Sequence, residues 1–334
     1  MRLPTGGLRL RAAQVFADLR ICRLAIQVID DLAEARLKRP SVVTVGSYDG
    51  VHLGHQHLLR GMQEAAARLG CATALVTFHP QPRAVLAPHL PVHYLTTPAE
   101  KIALLDELGL DLMAILPFTR ETARTSALDF VRGLVTRLEM RQLWVGPDFA
   151  LGRNREGDLP TLRKIGQDMG YQVHVVEPLA QGGEAVSSTR IRHLLMRGEV
   201  RQAAALLGRY PTLSGQVAQG AQRGRLLGFP TANLAVPPER AIPADGVYAC
   251  YVWVEGQRYP AVTNVGVRPS FADSQRTIEA HLLDFSGDLY GLDLKMAFVE
   301  RLRPEKRFND LQELVAQIRS DAQRAAELLA HEPS

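Results

Sequence analysis

No stretch of about 18 residues in this 334-residue chain is both apolar and free of charge, so the sequence predicts no membrane-spanning helix. Arginines and aspartates interrupt the apolar parts of the N-terminal stretch, which argues against a signal peptide. Cysteine is scarce. Cys22, Cys71 and Cys250 are odd in number, far apart and form no C-x-x-C, which excludes a disulfide framework and a cysteine zinc site and points to a reducing, cytoplasmic setting. Lysine is also scarce, with only Lys38, Lys101, Lys164, Lys295 and Lys306, and the 39 Lys and Arg against 35 Asp and Glu leave a net charge of +4. The basic residues are dispersed, so no nucleic-acid partner is expected. There is no internal repeat and no low-complexity block.

What is present is enough apolar material, 46% of residues, for cores in about two domains. Residues 1–23 are arginine-rich without strong periodicity and read as a weakly ordered extension. From 41 to about 176, strand-like runs at 41–45, 72–78, 111–116, 142–145 and 171–176 alternate with amphipathic stretches. Thr97-Pro98-Ala99-Glu100 has the form of a capping box with proline at the first helical position, and Gly109 ends that helix. Ser126 precedes a second helix, with Phe130, Val131, Leu134, Val135 and Leu138 on one face. Such alternation predicts an α/β domain with a parallel sheet. After Tyr210-Pro211 the pattern changes to short β-forming runs at 247–254, 259–265, 277–285 and 292–299. A small β-barrel is expected, closed on one side by a helix beginning near Asn309 with Gln312 in the capping-box position.

The densest signal is Thr44-Val45-Gly46-Ser47-Tyr48-Asp49-Gly50-Val51-His52-Leu53-Gly54-His55. A buried strand runs into a glycine-bearing turn, and a helix follows with Leu58, Met62, Ala65 and Leu69 on one face and Gly70 at its end. Free N–H groups and a partial positive charge at that helix start suit a phosphate, and His52 and His55 add donors. A metal pair or an ordinary helix-capping histidine remain alternatives at this point. Three further segments suit nucleotide handling: Thr77-Phe78-His79-Pro80-Gln81-Pro82-Arg83, Gly146-Pro147-Asp148-Phe149 and Ser187-Ser188-Thr189-Arg190-Ile191-Arg192. Alone, the first reads better as a proline-stiffened loop and the second as a turn, while an ordinary N-cap explains the serines of the third but not its whole set. In the second half, Gly224 and Gly228 permit a phosphate-covering turn, and Thr231 and Asn233 place uncharged oxygens on alternate positions, suited to Mg²⁺ shared with ATP phosphates. Glu279 is a lone carboxylate in an apolar strand, costly unless paired or functional, or else surface-facing.

Taken in order, the first-half segments resemble the adenylyltransferase half of bacterial bifunctional riboflavin kinase/FAD synthetases. Gly224-Arg225-Leu226-Leu227-Gly228-Phe229-Pro230-Thr231-Ala232-Asn233, Asn264-Val265-Gly266-Val267-Arg268-Pro269-Ser270-Phe271 and Ile278-Glu279-Ala280-His281-Leu282-Leu283-Asp284-Phe285 resemble that family's kinase and flavin segments. The resemblance covers roughly 26–320. It implies a Rossmann-like nucleotidyltransferase domain over 24–208 and a β-barrel riboflavin kinase domain over 209–334, with riboflavin, FMN and ATP as substrates and Mg²⁺ as cofactor.

The resemblance also implies roles. Glu279 would be the kinase base, while His52, His55 and Arg192 would neutralise charge in adenylyl transfer. Gly46, Tyr48, Asp49, Gly54, Asp148, Ser188 and Thr189 would hold one nucleotide, and Gly224, Gly228, Thr231 and Asn233 the other. Thr231 and Asn233 would bind the metal; Asn264 and Arg303 would contact flavin. Ser47, Tyr48 and Pro147 depart from the family pattern, and Gln81 stands where the family has a histidine. Two other readings stay open: a kinase with an impaired first domain, and an RNA-binding or tRNA-charging protein, since His-x-Gly-His also occurs in tRNA synthetases. The second lacks a Lys-Met-Ser-Lys-like element.

Overall fold

The computed structural model describes residues 25–218, 228–267 and 276–332, so the extension expected over 1–23 lies outside it. The chain divides into two compact units between Val186 and Ser187. The sequence places the join at 208/209, and the intervening residues form two helices grouped with the second unit.

The first unit is a six-stranded sheet: β1 (Gln27–Ile29), β2 (Ser41–Val45), β3 (Ala72–His79), β4 (Leu112–Pro117), β5 (Met140–Val145) and β6 (Gln172–Val175). Their spatial order is β1-β4-β3-β2-β5-β6 and every pairing is parallel. Helices α1 (Leu53–Leu69), α2 (Pro82–Leu86), α3 (Pro98–Glu107), α4 (Ala127–Leu138) and α5 (Leu159–Met169) make the connections. One core joins Val42, Leu75 and Met113 of the sheet to Leu59 and Met62 of α1 and Ile102 and Leu105 of α3. A second, on the other face, joins Val43, Val76, Ala114 and Leu143 to Val131 and Leu134 of α4 and Leu162 of α5. Strands buried on both faces read as near-continuous apolar runs, which is why most were visible in the sequence. β1, at three residues, was too short to see. Successive strands run outward from β2 to β4, and the chain then crosses to β5 on the opposite side of β2. The carboxyl ends of β2 and β5 therefore flank a topological switch point, where open parallel sheets bind ligands.

Capping follows the sequence closely at α3 and α4. Thr97 and Glu100 form the reciprocal box, and Ser126 accepts from the Asp129 N–H. On α1 the expected face is corrected. Leu59, Met62, Ala65 and Ala66 are buried, whereas Leu69 is 52% exposed. Met62 and Ala65 are buried as expected and Leu58 packs partly buried against the same core, so the expected face fails only at its last turn, where Leu69 faces outward.

The second unit carries α6 (Ser188–Met196), α7 (Val200–Leu207), β9 (Thr212–Ala218), β10 (Ala232–Ala235), β11 (Gly246–Val254), β12 (Gln257–Val267), β13 (Arg276–Leu282), β14 (Asp293–Arg303) and α8 (Leu311–Ala330). A two-residue hairpin, β7 (Ala180–Gln181) and β8 (Glu184–Ala185), precedes it in the chain. The six strands close into an antiparallel barrel ordered β10-β13-β12-β11-β14-β9. β9 and β10 are absent from the predicted runs, both being mixed in polarity and β10 only four residues long. α8 is capped by Asp310, which accepts from Glu313 N–H, so Glu313 rather than Gln312 holds the third position.

Candidate active sites

At the end of β2 the turn is built inward. Tyr48 is 4% exposed, and its hydroxyl lies 2.5 Å from Thr44 Oγ1, which donates to the Trp144 carbonyl at 2.7 Å. A Cβ on Gly46 would meet the Tyr48 ring at 3.0 Å, so glycine is needed for this packing. Tyr48 and Val51 are both held at positive φ (46° and 39°), conformations that cost a non-glycine residue free energy and concentrate at functional turns. Asp49 is fully buried. Its carboxylate accepts from the backbone N–H groups of Leu95 (3.0 Å) and Thr96 (3.1 Å) and from the Thr96 hydroxyl (3.2 Å). Tyr48 and Asp49, expected at the nucleotide, are thus supports of the turn. Gly54 is likewise a packing glycine, since a Cβ there would lie 3.0 Å from the Val186 carbonyl and 3.2 Å from the His52 ring.

His52 caps α1. Its Nδ1 accepts the His55 backbone N–H at 3.2 Å, which leaves the neutral ring's proton on Nε2. The two imidazoles stack with centroids 3.6 Å apart and planes at 15°, and Tyr48 tilts against His55 at 4.7 Å. His55 Nδ1 is buried and has no hydrogen-bond partner among the described residues, an orphan that calls for a ligand. Burial, then His52, then Lys101 push the His55 pKa well below its ordinary value. His55 therefore contributes a neutral imidazole, not the positive charge the sequence assigned to it.

The positive charge sits on a residue the sequence reading missed. Lys101 of α3 is 8% exposed, and its Nζ donates to the Ser47 carbonyl at 2.6 Å. Burial lowers its pKa to about 8, with Asp49 opposing the shift. The signal was available: Lys101 precedes Ile102 and lies four before Leu105, the two apolar residues that share its buried face. A lysine at that phase is out of place unless it meets something polar.

Around the same sheet edge, Gln81 follows β3, and its Nε2 is buried without a partner among the described residues. Asp148 follows β5 and is exposed, with its carbonyl accepting from Arg155 Nη2 at 2.8 Å. Pro147, Asp148, Phe149, Arg155, Asp158 and Leu159 help line an open cleft of about 320 Å³. Arg155 and Asn154 sit at positive φ (60° and 53°), a backbone oddity that composition alone does not signal. Ser188, Thr189 and Arg192 open α6 in the second unit, where Ser187, not Ser188, is the cap, accepting from Arg190 N–H at 3.2 Å.

On the barrel, register brings a second constellation together. Glu279 of β13 pairs directly with Asn233 of β10 on one side and Asn264 of β12 on the other. Ile278, Ala280 and Leu282 alternate inward and are buried, so Glu279 lies on the outer face, half-buried between the two amides. Thr231 immediately precedes β10, and the preceding Pro230 is fixed by its carbonyl, 2.9 Å from His281 Nδ1. Gly228 is at φ 83°; Gly224 and 268–271 lie outside the described residues. No group of three or more His, Cys, Asp or Glu among the described residues could hold a metal. The hard, uncharged oxygens of Thr231 and Asn233 beside Glu279 fit Mg²⁺ shared with phosphates, not a metal held by protein alone. Arg303, expected at the flavin, instead pairs with Asp321 of α8, Nη2 to Oδ2 at 2.8 Å, and ties that helix to β14.

Residues 34–190 match the FAD synthetase family and residues 207–329 the riboflavin kinase family. The bifunctional riboflavin kinase/FMN adenylyltransferase of Escherichia coli strain K12 is 37% identical over 305 residues, 90% of this chain and 96% of its own length. That of Pseudomonas fluorescens is 39% identical over 294 residues, covering 87% and 94%. A crystal structure described as a macrolide-efflux protein from Streptococcus pneumoniae superposes with a TM-score of 0.83 at 29% identity, over 90% of this chain and 99% of that one. Among the described residues no helix is long and apolar enough to cross a membrane. With both halves matched in order over nine-tenths of its length, the chain belongs to the bifunctional riboflavin kinase/FMN adenylyltransferase family.

Proposed function

We infer that the chain phosphorylates riboflavin to FMN and adenylylates FMN to FAD, with ATP as co-substrate of both steps, and we propose the residues responsible. In the barrel, Glu279 takes the proton of the riboflavin 5′-hydroxyl as that oxygen attacks the γ-phosphorus of ATP and ADP leaves. Asn233 and Asn264, its direct cross-strand neighbours, orient phosphate and flavin. Mg²⁺, held by the Thr231 and Asn233 oxygens, would screen the phosphates when bound. The position of Glu279 between two amides is the observation that carries this reading.

In the first unit, an FMN phosphate oxygen attacks the α-phosphorus of a second ATP, and the bond to the departing pyrophosphate breaks. No enzyme nucleophile is required, so the chain contributes orientation and electrostatic stabilisation. The stacked His52 and His55 donate hydrogen bonds to phosphate, and the orphaned His55 Nδ1 supports that role. Asp148 and Arg155 place the nucleotide at the switch point. The cysteine pattern supports a cytoplasmic enzyme, and the dispersed charge gives nucleic acid no part in it.

Purified protein incubated with riboflavin, ATP and Mg²⁺ tests both halves when flavins are separated chromatographically. FAD is the expected product. FMN alone would mean an impaired first unit, and neither product would overturn the activity for this chain.

A further inference from the structure

We propose that Lys101 is a positioning residue of the adenylyl-transfer centre, its ammonium fixing the Ser47–Tyr48 peptide and supplying positive charge behind the phosphate turn. The proposal rests on the adenylyl-transfer reading above and adds to it a residue on a different helix.

The geometry has three parts. Lys101 Nζ reaches across from α3 to the Ser47 carbonyl at 2.6 Å, and Thr77 Oγ1 donates to the same oxygen at 3.2 Å. The Ser47–Tyr48 peptide is trans, since His79-Pro80 is the cis bond among the described residues. In a trans peptide the C=O and N–H point in opposite directions. Pinning the carbonyl against Lys101 and Thr77 therefore turns the Tyr48 N–H away from them, and Tyr48 holds the positive φ that successive N–H groups adopt around anions. The second part is charge. Asp49, which faces Lys101, spends its carboxylate on Leu95 and Thr96, and His52 and His55 are the other titratable groups that face this corner. Of these, Lys101 is the cation near neutral pH, because burial holds His55 neutral and His52 caps through an unprotonated Nδ1. The third part is the replacement at 81. Gln81 brings a buried amide and no charge, so the turn's positive potential depends the more on Lys101. A buried charge acts through a low effective dielectric and so persists at short range where a surface charge would be screened.

The test compares wild type, Lys101→Met and Lys101→Arg for kcat/KM of FMN adenylylation between about pH 6.5 and about pH 9.5, a parameter that reports free-enzyme ionisations. FMN formation by the same samples is the internal control. The expected wild-type profile falls through an alkaline limb near the Lys101 pKa of about 8. Lys101→Met lowers kcat/KM roughly tenfold or more near neutrality and abolishes the limb, since the titrating group is gone. Lys101→Arg keeps most activity and moves the limb beyond the range, and neither change alters FMN formation. A wild-type profile flat through pH 8, or a limb that persists in Lys101→Met, overturns the proposal without the need for any variant to be fully stable. FAD made by Lys101→Met at the wild-type kcat/KM overturns the role of Lys101 alone. Absence of FAD from wild type overturns the adenylyl-transfer reading and the proposal with it.

Discussion

Asn233 and Glu279 face one another across β10 and β13, and Glu279 also faces Asn264 across β13 and β12. One row of outer-face positions therefore carries amide, carboxylate and amide over three adjacent strands. Conversion of the carboxylate to an amide keeps the size and removes the proton acceptor. Glu279→Gln should reduce riboflavin phosphorylation by about 10²- to 10⁴-fold, while FMN supplied directly is still converted to FAD. Parallel assays with riboflavin and with FMN check this, and loss of both conversions would argue against separate sites.

His55 stacks on His52 and keeps a buried, unpartnered Nδ1. Truncation to alanine removes that donor and leaves His52 without its stacking partner. His55→Ala should lower FMN adenylylation on the order of 10²-fold or more and make FMN accumulate from riboflavin. The same chromatographic assay reads the outcome, and undiminished FAD would remove the histidine pair from the centre.

Arg303 and Asp321 are 19% and 8% exposed, and Gln317 also donates to the Asp321 carboxylate at 2.9 Å. Removing one partner of such a pair leaves the other charge without compensation in a poorly hydrated place. Asp321→Ala should destabilise the barrel by about 3 kcal/mol, measured by urea unfolding of the second unit's signal. If Arg303 acts as a staple and not as a flavin contact, KM for riboflavin in the surviving folded protein stays unchanged. A large rise in KM with unchanged stability would return Arg303 to the flavin site.

Much of the fold was legible because its elements obey local rules. The central strands β2, β3 and β4 are near-continuous apolar runs, the caps at Thr97 and Ser126 use their side chains as their position demands, and Gly70 takes the left-handed conformation at the end of α1. The site was legible only as a collection of segments. That Glu279 would stand between Asn233 and Asn264 depends on barrel register, which no single segment encodes. Direction was the harder matter. Tyr48 and Asp49 belong to an informative motif yet point into protein, because a turn that must present donors to a ligand needs as many groups holding it from behind. Lys101 went unnoticed for the converse reason: it sits in an ordinary amphipathic helix, and its partner Ser47 is 54 residues away in sequence.

Lys101 also makes a stability prediction of definite sign. Its pKa is about 8 in the folded chain against 10.5 for an ordinary lysine, so between those values the folded state holds fewer protons than the unfolded state. Stability attributable to this group therefore rises with pH across that window, and below about pH 8 the full cost of burying the charge is present. The depression corresponds to roughly 3 kcal/mol, against which Lys101→Met forfeits the hydrogen bond to Ser47, about 1 kcal/mol, and leaves Asp49 without its facing cation. Lys101→Met should accordingly be more stable than wild type near neutral pH by about 1 kcal/mol, although it is the slower enzyme. The advantage should shrink as pH approaches about 10, where the wild-type lysine is neutral in the folded state. Urea unfolding of both proteins at several pH values measures the difference directly, and comparing the two cancels the opposite, destabilising trend expected from Cys250, whose thiol burial pushes up to about 12. A variant less stable than wild type at every pH would show that Lys101 is held for structure and not, at a cost in stability, for the phosphate turn.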